Sequence, residues 1–259
     1  MAVGVPTETL LVVAGVVAFG GLIKGVAGFG YGVASTAILA TVLSPTTAVV
    51  VMILPALAAN ASLMGELDGE GLRSCITRFW PYLGAALVGT LLGMAVLDAI
   101  PRGPLALALG TLTLGYVLLK QPYVALPGAD RAAAVCLRPG GGVKASLGFV
   151  SGVVFGASNV GVQVVAYLDT LDLDRSTFVG VLAMVLVGIS MVRVVTAFAL
   201  GLYGGSALPL SVAAVVPGLV GVRLGTSVRR FVPERAQTRG TLALLAVIGA
   251  RLTATGFGL

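Results

Sequence analysis

Near the start of the chain, two apolar segments are joined by the stretch Gly25-Val26-Ala27-Gly28-Phe29-Gly30-Tyr31-Gly32. A second break of this kind, Gly152-Val153-Val154-Phe155-Gly156-Ala157-Ser158-Asn159, lies in the other half. Glycine has no Cβ and adopts conformations that end a helix, so both stretches predict breaks between helical segments. The apolar segment after each break has about 13 residues. As a helix it would be about 20 Å long, too short for a hydrocarbon core of about 30 Å.

The composition is that of an integral membrane protein. The 259 residues are 58% hydrophobic and 10% charged, whereas soluble domains carry about 25% charged residues. One soluble core could not bury so much apolar surface. The first ten residues contain no Lys or Arg, which a signal peptide needs, so we expect a retained first helix.

Turn residues and charges divide the chain into ten apolar segments. Their expected bounds are about 9–26, 31–43, 46–66, 75–97, 103–120, 144–157, 160–172, 176–200, 209–230 and 238–257. The motif Gly89-x3-Gly93-x7-Pro101 recurs as Gly221-x3-Gly225-x7-Pro233, 132 positions later. Thr46 to Asn60 also resembles Ser176 to Ser190 in hydrophobic pattern. The sequence therefore indicates an internal duplication.

We expect one all-α transmembrane domain over residues 1–259. It comprises repeat 1 (about 9–120), a cytoplasmic linker (about 121–143) and repeat 2 (about 144–257). Each repeat has about five helical segments, of which the first two are short and broken at Gly-rich motifs. Because five is odd, the second repeat enters the membrane inverted, an arrangement typical of transporters. Both spanning and re-entrant short segments fit the segment lengths.

Loop charge sets the expected orientation. With five segments per half, eleven of the basic loop residues lie on one side of the membrane, and Arg102 alone lies on the other. With four segments per half, the same twelve residues would divide six against six. Loops rich in Lys and Arg stay in the cytoplasm, so both termini are predicted to be extracytoplasmic in a multi-pass protein of a bacterial inner membrane. The eleven are Arg73, Arg78, Lys120, Arg131, Arg138, Lys144, Arg175, Arg229, Arg230, Arg235 and Arg239.

Several function classes lack the residues they need. The chain has no His, which removes the commonest general base and metal ligand. Cys75 and Cys136 are 61 positions apart without a C-x-x-C spacing, which favours two free thiols. We therefore expect no enzyme, no metal and no cofactor. The basic residues lie in short loops rather than on a phosphate-binding face, so no nucleic-acid partner is expected.

Four cations lie within or near apolar segments, namely Lys24, Arg193, Arg223 and Arg251, whereas every carboxylate lies in a loop or at a segment end. An unpaired charge in a bilayer is costly, so an anionic substrate is the partner that this pattern indicates. Arg193 is the strongest candidate, although backbone carbonyls of a broken helix would also satisfy it, as would snorkelling to the outer interface. Snorkelling to the surface is the alternative for Lys24 and the favoured role of Arg223 and Arg251.

Polar side chains and glycines gather at the two breaks. We expect an oxyanion cage there, with interhelical hydrogen bonding as the alternative role of each side chain. Its glycines provide backbone freedom or close approach to the ligand, and the stretch is no P-loop because no G-K-[ST] follows. The expected binding residues are Lys24, Gly25, Gly28, Gly30, Tyr31, Asn60, Ser158, Asn159, Gln163, Ser190 and Arg193, with Ser35 as a further polar group at the first break.

The chain resembles the sulfite exporter TauE/SafE family of bacterial permeases. The resemblance rests on Gly21 to Gly32, the helix after Ser44-Pro45, Gly148 to Gly152 and Gly221 to Pro233, and covers nearly the whole chain. It implies transport of sulfite, sulfoacetate or related small anions. Family members often have a denser glycine cluster where this chain has Gly156 to Gly161.

We therefore expect a permease for a sulfonate- or sulfite-like oxyanion that works by alternating access, with export the favoured direction. Its partners are a small anionic substrate and the lipid bilayer, and a homo-oligomer is compatible with the sequence. The alternatives are an ion-coupled importer of the same anions and a non-transporting membrane scaffold subunit.

Overall fold

The computed structural model describes residues 6–28, 30–64, 69–97, 101–120, 141–159, 161, 164–165, 168 and 175–258. Throughout these residues the secondary structure is helical, with no strand, so the predicted all-α fold is confirmed. The helices are α1 (Thr7–Ala27), α2 (Tyr31–Leu39), α3 (Pro45–Val51), α4 (Ile53–Leu63), α5 (Gly69–Ala95), α6 (Arg102–Lys120), α7 (Gly141–Ser158), α8 (Arg175–Ala199), α9 (Ala207–Arg229) and α10 (Glu234–Gly256).

Several of these helices suit a bilayer. By length and composition, four helical stretches in the described part of the chain can cross a membrane. They are Thr7–Ala27, Pro45–Leu63, Gly180–Ala199 and Ala207–Arg229. Shorter apolar helices occur at Trp80–Ala95, Ala106–Gly115 and Leu242–Gly256. The protein is therefore a multi-pass membrane protein.

The first Gly-rich break begins later than predicted. We expected the first two segments of the first repeat to be short, but α1 is a continuous helix of 21 residues, so this is wrong for α1. Gly25 lies inside α1, and the break is made by Gly28 and Gly30, whose φ angles are 85° and 91°. Glycine adopts this left-handed region without steric cost, so the chain turns there. Of these first two segments, α2 is the short one, with nine residues. At the second break α7 is likewise a continuous helix, of 18 residues, with Gly152 and Gly156 inside it.

The third predicted segment, 46–66, is divided in two at Met52, where α3 ends and α4 begins. Ser44 caps α3 by accepting a hydrogen bond from the backbone N–H of Thr47 at 3.1 Å, as expected for a serine before a helix. Most of the predicted seventh segment, 160–172, lies outside the described residues. Of its described residues, Val164, Val165 and Leu168 are helical and Gly161 is not. The linker is likewise described only from Gly141, where α7 begins.

Glycines bring α1 and α9 into backbone contact. A Cβ on Gly21 would collide with the carbonyl oxygen of Gly218, and a Cβ on Gly225 would collide with that of Leu22. Small residues allow this approach in membranes, where helices gain no hydrophobic driving force from association. The second of the two predicted Gly-x3-Gly motifs, at Gly221 and Gly225, is thus a packing motif.

The first Gly-x3-Gly motif packs α5 against α7 in the same way. A Cβ on Gly89 would meet the carbonyl oxygen of Phe149, and one on Gly93 would meet that of Val153. From the opposite side, Gly152 lies against the carbonyl oxygen of Ala86. We call this contact and the α1–α9 contact the two glycine seams.

The remaining packing places α4 and α8 at the centre. α4 contacts α8 and α9, α8 contacts α5, and α6 packs on α10. Side chains on the two central helices, such as Ile53 on α4 and Ile189 on α8, are fully buried. The polar residues Asn60 on α4 and Ser190 and Arg193 on α8 are buried beside them.

Candidate anion-binding site

Lys24 lies in the last turn of α1 and is 3% exposed. Its Nζ donates a hydrogen bond of 2.6 Å to Oδ1 of Asn60 on α4, which is equally buried. A cation is favoured near a helix C-terminus, where the backbone carbonyls converge. Within the described part of the chain, Lys24 forms no ion pair with a carboxylate, so its charge has a neutral amide as its side-chain partner.

Asn159 ends α7 in a left-handed conformation, with φ 61°. Asparagine tolerates this conformation better than most residues. Its Oδ1 accepts a hydrogen bond of 2.5 Å from Nη1 of Arg193 on α8. Its Nδ2 donates to Oγ1 of Thr36 on α2 at 3.2 Å. One amide therefore ties the end of α7 to both α8 and α2.

Arg193 is completely buried. Its guanidinium lies over the ring of Phe155, with Cζ 5.2 Å from the ring centroid. Among the described residues, Nε and Nη2 have no hydrogen-bond partner. Leaving charged donors unsatisfied in a dry interior is expensive, so the guanidinium places an uncompensated positive charge next to Asn159.

The two cation–amide pairs flank one small cavity of about 40 Å³. A single water needs about 10–15 Å³ of such volume, so the cavity has room for a few waters. Arg193 does not line it, but Asn159 and Phe155, which contact Arg193, both do. The lining residues are Lys24, Gly30, Tyr31, Gly32, Val33, Ala56, Asn60, Phe155, Asn159, Gly161, Val165 and Leu186.

The expected binding residues divide into three groups. Five of them line the cavity, namely Lys24, Gly30, Tyr31, Asn60 and Asn159. Five do not, namely Gly25, Gly28, Ser158, Ser190 and Arg193, although Arg193 reaches the cavity through Asn159. Gln163 lies outside the described residues.

The residues away from the cavity have other surroundings. A Cβ on Gly25 would meet the backbone of α9, so this glycine belongs to a glycine seam. The Ser158 hydroxyl donates to the carbonyl oxygen of Val154 in its own helix. Among the described residues, the buried hydroxyls of Ser190 and Ser35 have no partner. The Tyr31 ring lines the cavity, while its hydroxyl lies against Gly218.

Sequence reasoning missed Thr36 and Phe155. Thr36 accepts the hydrogen bond from Asn159, and Phe155 supports the Arg193 guanidinium. The sequence did offer a sign of Phe155, because it comes directly before a glycine of the second break, Gly156, just as Lys24 comes directly before Gly25 of the first. Thr36 had none, because only the approach of α2 to the end of α7 gives it a partner.

The two other cations within apolar helices are exposed. Arg223 on α9 and Arg251 on α10 both reach the surface, as snorkelling requires. Of the four cations within or near apolar segments, Lys24 and Arg193 are therefore the two that are buried.

Comparison with known proteins gives the family. A profile of the sulfite exporter TauE/SafE family matches residues 13–252, which is most of the chain. The chain belongs to the sulfite exporter TauE/SafE family. This confirms the resemblance noted from the glycine motifs. No curated protein and no solved structure matches the chain. Membership in a transporter family suggests a membrane exporter of sulfite or another anion, and it is consistent with a protein that is not an enzyme.

Proposed function

We propose that this TauE/SafE protein is a permease that exports a small oxyanion, an organosulfonate such as sulfoacetate or sulfite itself, across a bacterial inner membrane. The observation that carries the proposal is a pair of buried cations beside one cavity: Lys24 lines it, and Arg193 reaches it through Asn159. Each has a neutral amide as its hydrogen-bonded side-chain partner among the described residues. An anion in the cavity supplies the missing negative charge.

The two amides are oriented for the same task. In each pair the amide oxygen faces the cation, so the NH₂ group of Asn60 and Asn159 is left to donate elsewhere. Lys24 and Asn159 line the cavity and are assigned direct contact with the anion. Arg193 is assigned a positioning role, since it holds Asn159 and adds positive potential from behind. An oxyanion has enough acceptor atoms for these donors, whereas a cation or an apolar solute would leave them unpaired.

The packing of the helices supports two inverted repeats. If α1 and α7 are the first helices of two repeats, α5 and α9 are their fourth segments. Each first helix then packs, through a glycine seam, on the fourth segment of the other repeat. The central pair α4–α8 joins the third segments of the two repeats, and the outer pair α6–α10 joins their fifth segments. An arrangement of this kind suits alternating access, because two equivalent packings are available around one central site.

Loop charge supports the orientation, with both termini extracytoplasmic. Whatever the orientation of the protein, a cell with a negative interior favours anion export by about 2.3 kcal/mol per charge for each 100 mV. By sequence, the carboxylates lie in loops or towards the ends of apolar segments, as Asp169 and Asp172 do in 160–172, so none is placed in the middle of a segment to carry a coupled proton. We therefore favour export that is driven by the membrane potential over coupled import.

A thermal-shift screen of the purified protein tests the binding step. Sulfite or sulfoacetate is expected to stabilise the wild type, by about 2.7 kcal/mol when the ligand is at a hundred times its Kd. Arg223→Gln, which removes an exposed cation away from the cavity, is expected to keep that stabilisation, and Lys24→Gln is expected to lose it. The proposal would be contradicted if the ligand stabilised Lys24→Gln as much as Arg223→Gln. It would also be contradicted if the ligand stabilised neither the wild type nor Arg223→Gln.

A further inference from the structure

A second, larger cavity of about 480 Å³ lies between α2, α6 and α10. It is lined by α2 from Val33 onwards, the turn after α2, the start of α3, the start of α6, one face of α10 that includes Arg251, and Ser158 at the end of α7. Its walls are mainly apolar, and the polar residues among them are Thr36, Thr41, Ser158, Arg251 and Thr255. The proposed function as described above does not use this cavity.

The helix ends that form this cavity share one side of the membrane. α2 ends, α6 begins and α10 ends there, and in the orientation proposed above this is the extracytoplasmic side. Arg251 is exposed and lies in the last two turns of α10, which places it towards that surface. The cavity therefore occupies the outer half of the protein.

The larger cavity adjoins the anion-binding site. Val33 lines both cavities. Thr36 lines the larger cavity and accepts the hydrogen bond from Asn159, which lines the smaller one. The Thr36–Asn159 hydrogen bond thus lies between the two spaces. A small displacement of α2 relative to the end of α7 would join them.

We propose that the larger cavity is the extracytoplasmic vestibule of the anion path and that Arg251 attracts the anion within it. This proposal rests on the function proposed above. Arg251 is the one charged residue that lines the cavity in the described part of the chain, and no carboxylate lines it there. A vestibule of this sign concentrates anions next to the Thr36–Asn159 contact. Arg223, equally exposed, lines neither cavity.

The first test is the concentration dependence of radiolabelled sulfite counterflow in proteoliposomes. Arg251→Gln is expected to raise the half-saturating sulfite concentration about two- to fivefold, the range that an exposed charge contact carries. Arg223→Gln is the matched control and is expected to behave as the wild type. If Arg251→Gln and Arg223→Gln give the same half-saturation as the wild type, Arg251 does not attract the anion.

The second test asks whether the cavity holds water or lipid. In a background with Cys75 and Cys136 replaced by serine that retains sulfite counterflow, Ala37→Cys places a thiol in the cavity wall. A membrane-impermeant thiol reagent that carries a sulfonate group is expected to modify it in intact cells. Sulfoacetate, which unlike sulfite does not react with thiol reagents, is expected to slow the modification. Val220→Cys, at an exposed apolar position on α9, is expected to stay unmodified.

The outcomes separate the two proposals. Sulfite counterflow in the wild type with no modification of Ala37→Cys would mean a lipid-filled groove, and would overturn the vestibule while leaving the permease intact. No sulfite counterflow in the wild type would contradict the proposed function, and the anion path with it, whatever the thiol labelling shows.

Discussion

At the scale of single residues, the site depends on two amides that each hold a buried cation. The sequence indicated Lys24, Arg193, Asn60 and Asn159 because charges and amides are rare inside apolar segments. It did not indicate their pairing. The Asn159 hydrogen bonds join the end of α7 to α8 and α2, and such contacts between distant parts of the chain depend on packing rather than on local pattern.

Replacing Asn159 separates its backbone role from its side-chain role. Asn159→Gly keeps the left-handed backbone but removes both hydrogen bonds, so sulfite binding is expected to weaken by about tenfold or more, as for loss of a hydrogen bond to a charged group. Asn159→Ala adds backbone strain of about 1–2 kcal/mol and is expected to unfold at a lower temperature than the glycine variant. Thermal unfolding with and without sulfite measures both effects. Normal sulfite binding by Asn159→Gly would contradict the assigned role.

Lys24→Met replaces a buried cation by an apolar side chain of similar length. Removing a buried charge without a charged partner is expected to leave the melting temperature unchanged or higher, because the desolvation cost disappears. Sulfite counterflow is expected to be lost. If the Lys24 charge had only a structural role, the opposite result would follow. Lys24→Met would have a lower melting temperature, and the folded fraction would still carry out sulfite counterflow.

At the scale of elements, glycine patterns predicted the two helix breaks, but not at which residue of each stretch the helix ends. The Gly-x3-Gly motifs indicated a duplication, and their packing role is seen only in the structure. Gly25 and Gly28 look alike in the sequence, yet Gly25 continues α1 against α9 and Gly28 ends the helix. Which glycine ends a helix depends on the neighbour that approaches it. The division of 46–66 at Met52 had a signal that the segment bounds ignored. Pro55 has no N–H to bond the carbonyl oxygen of Val51, which accepts a hydrogen bond from Ser211 instead.

The glycine seams predict a sharp difference between two glycine substitutions. Gly93→Val would drive a side chain into the carbonyl oxygen of Val153, and overpacking of this kind costs about 1–3 kcal/mol or more when backbone is the obstacle. Gly115→Val on α6 meets nothing within 4 Å and is expected to be tolerated. Thermal unfolding in detergent compares them. Equal stability of the two variants would mean that the α5–α7 seam is looser than described.

At the scale of the whole molecule, the proposed inverted repeats and the orientation belong together. An odd number of segments per repeat inverts the second one, and the same count gathers the basic loops on one side. The order of segments was readable from the sequence because hydrophobic length and loop charge are local. The crossed pairing of α1 with α9 and of α5 with α7 was not, because it is a contact between the two halves.

Cysteine labelling tests the orientation. In the background without native cysteines, Gly204→Cys lies in the turn between α8 and α9, and Arg230→Cys lies in the turn after α9. An impermeant thiol reagent is expected to label position 204 in intact cells and position 230 only after permeabilisation. The reverse pattern would invert the proposed orientation and the side to which the larger cavity belongs.

Voltage-driven sulfite flux in proteoliposomes tests the central claim most directly, by comparing the wild type with Arg193→Gln and Arg223→Gln. The wild type and Arg223→Gln are expected to move radiolabelled sulfite towards the positive compartment without any other ion gradient, and folded Arg193→Gln is expected to move little. A requirement for a proton or sodium gradient would indicate coupled import. Equal flux through Arg193→Gln and the wild type, or no flux through any of them, would contradict the assignment of the buried cations to an anion path.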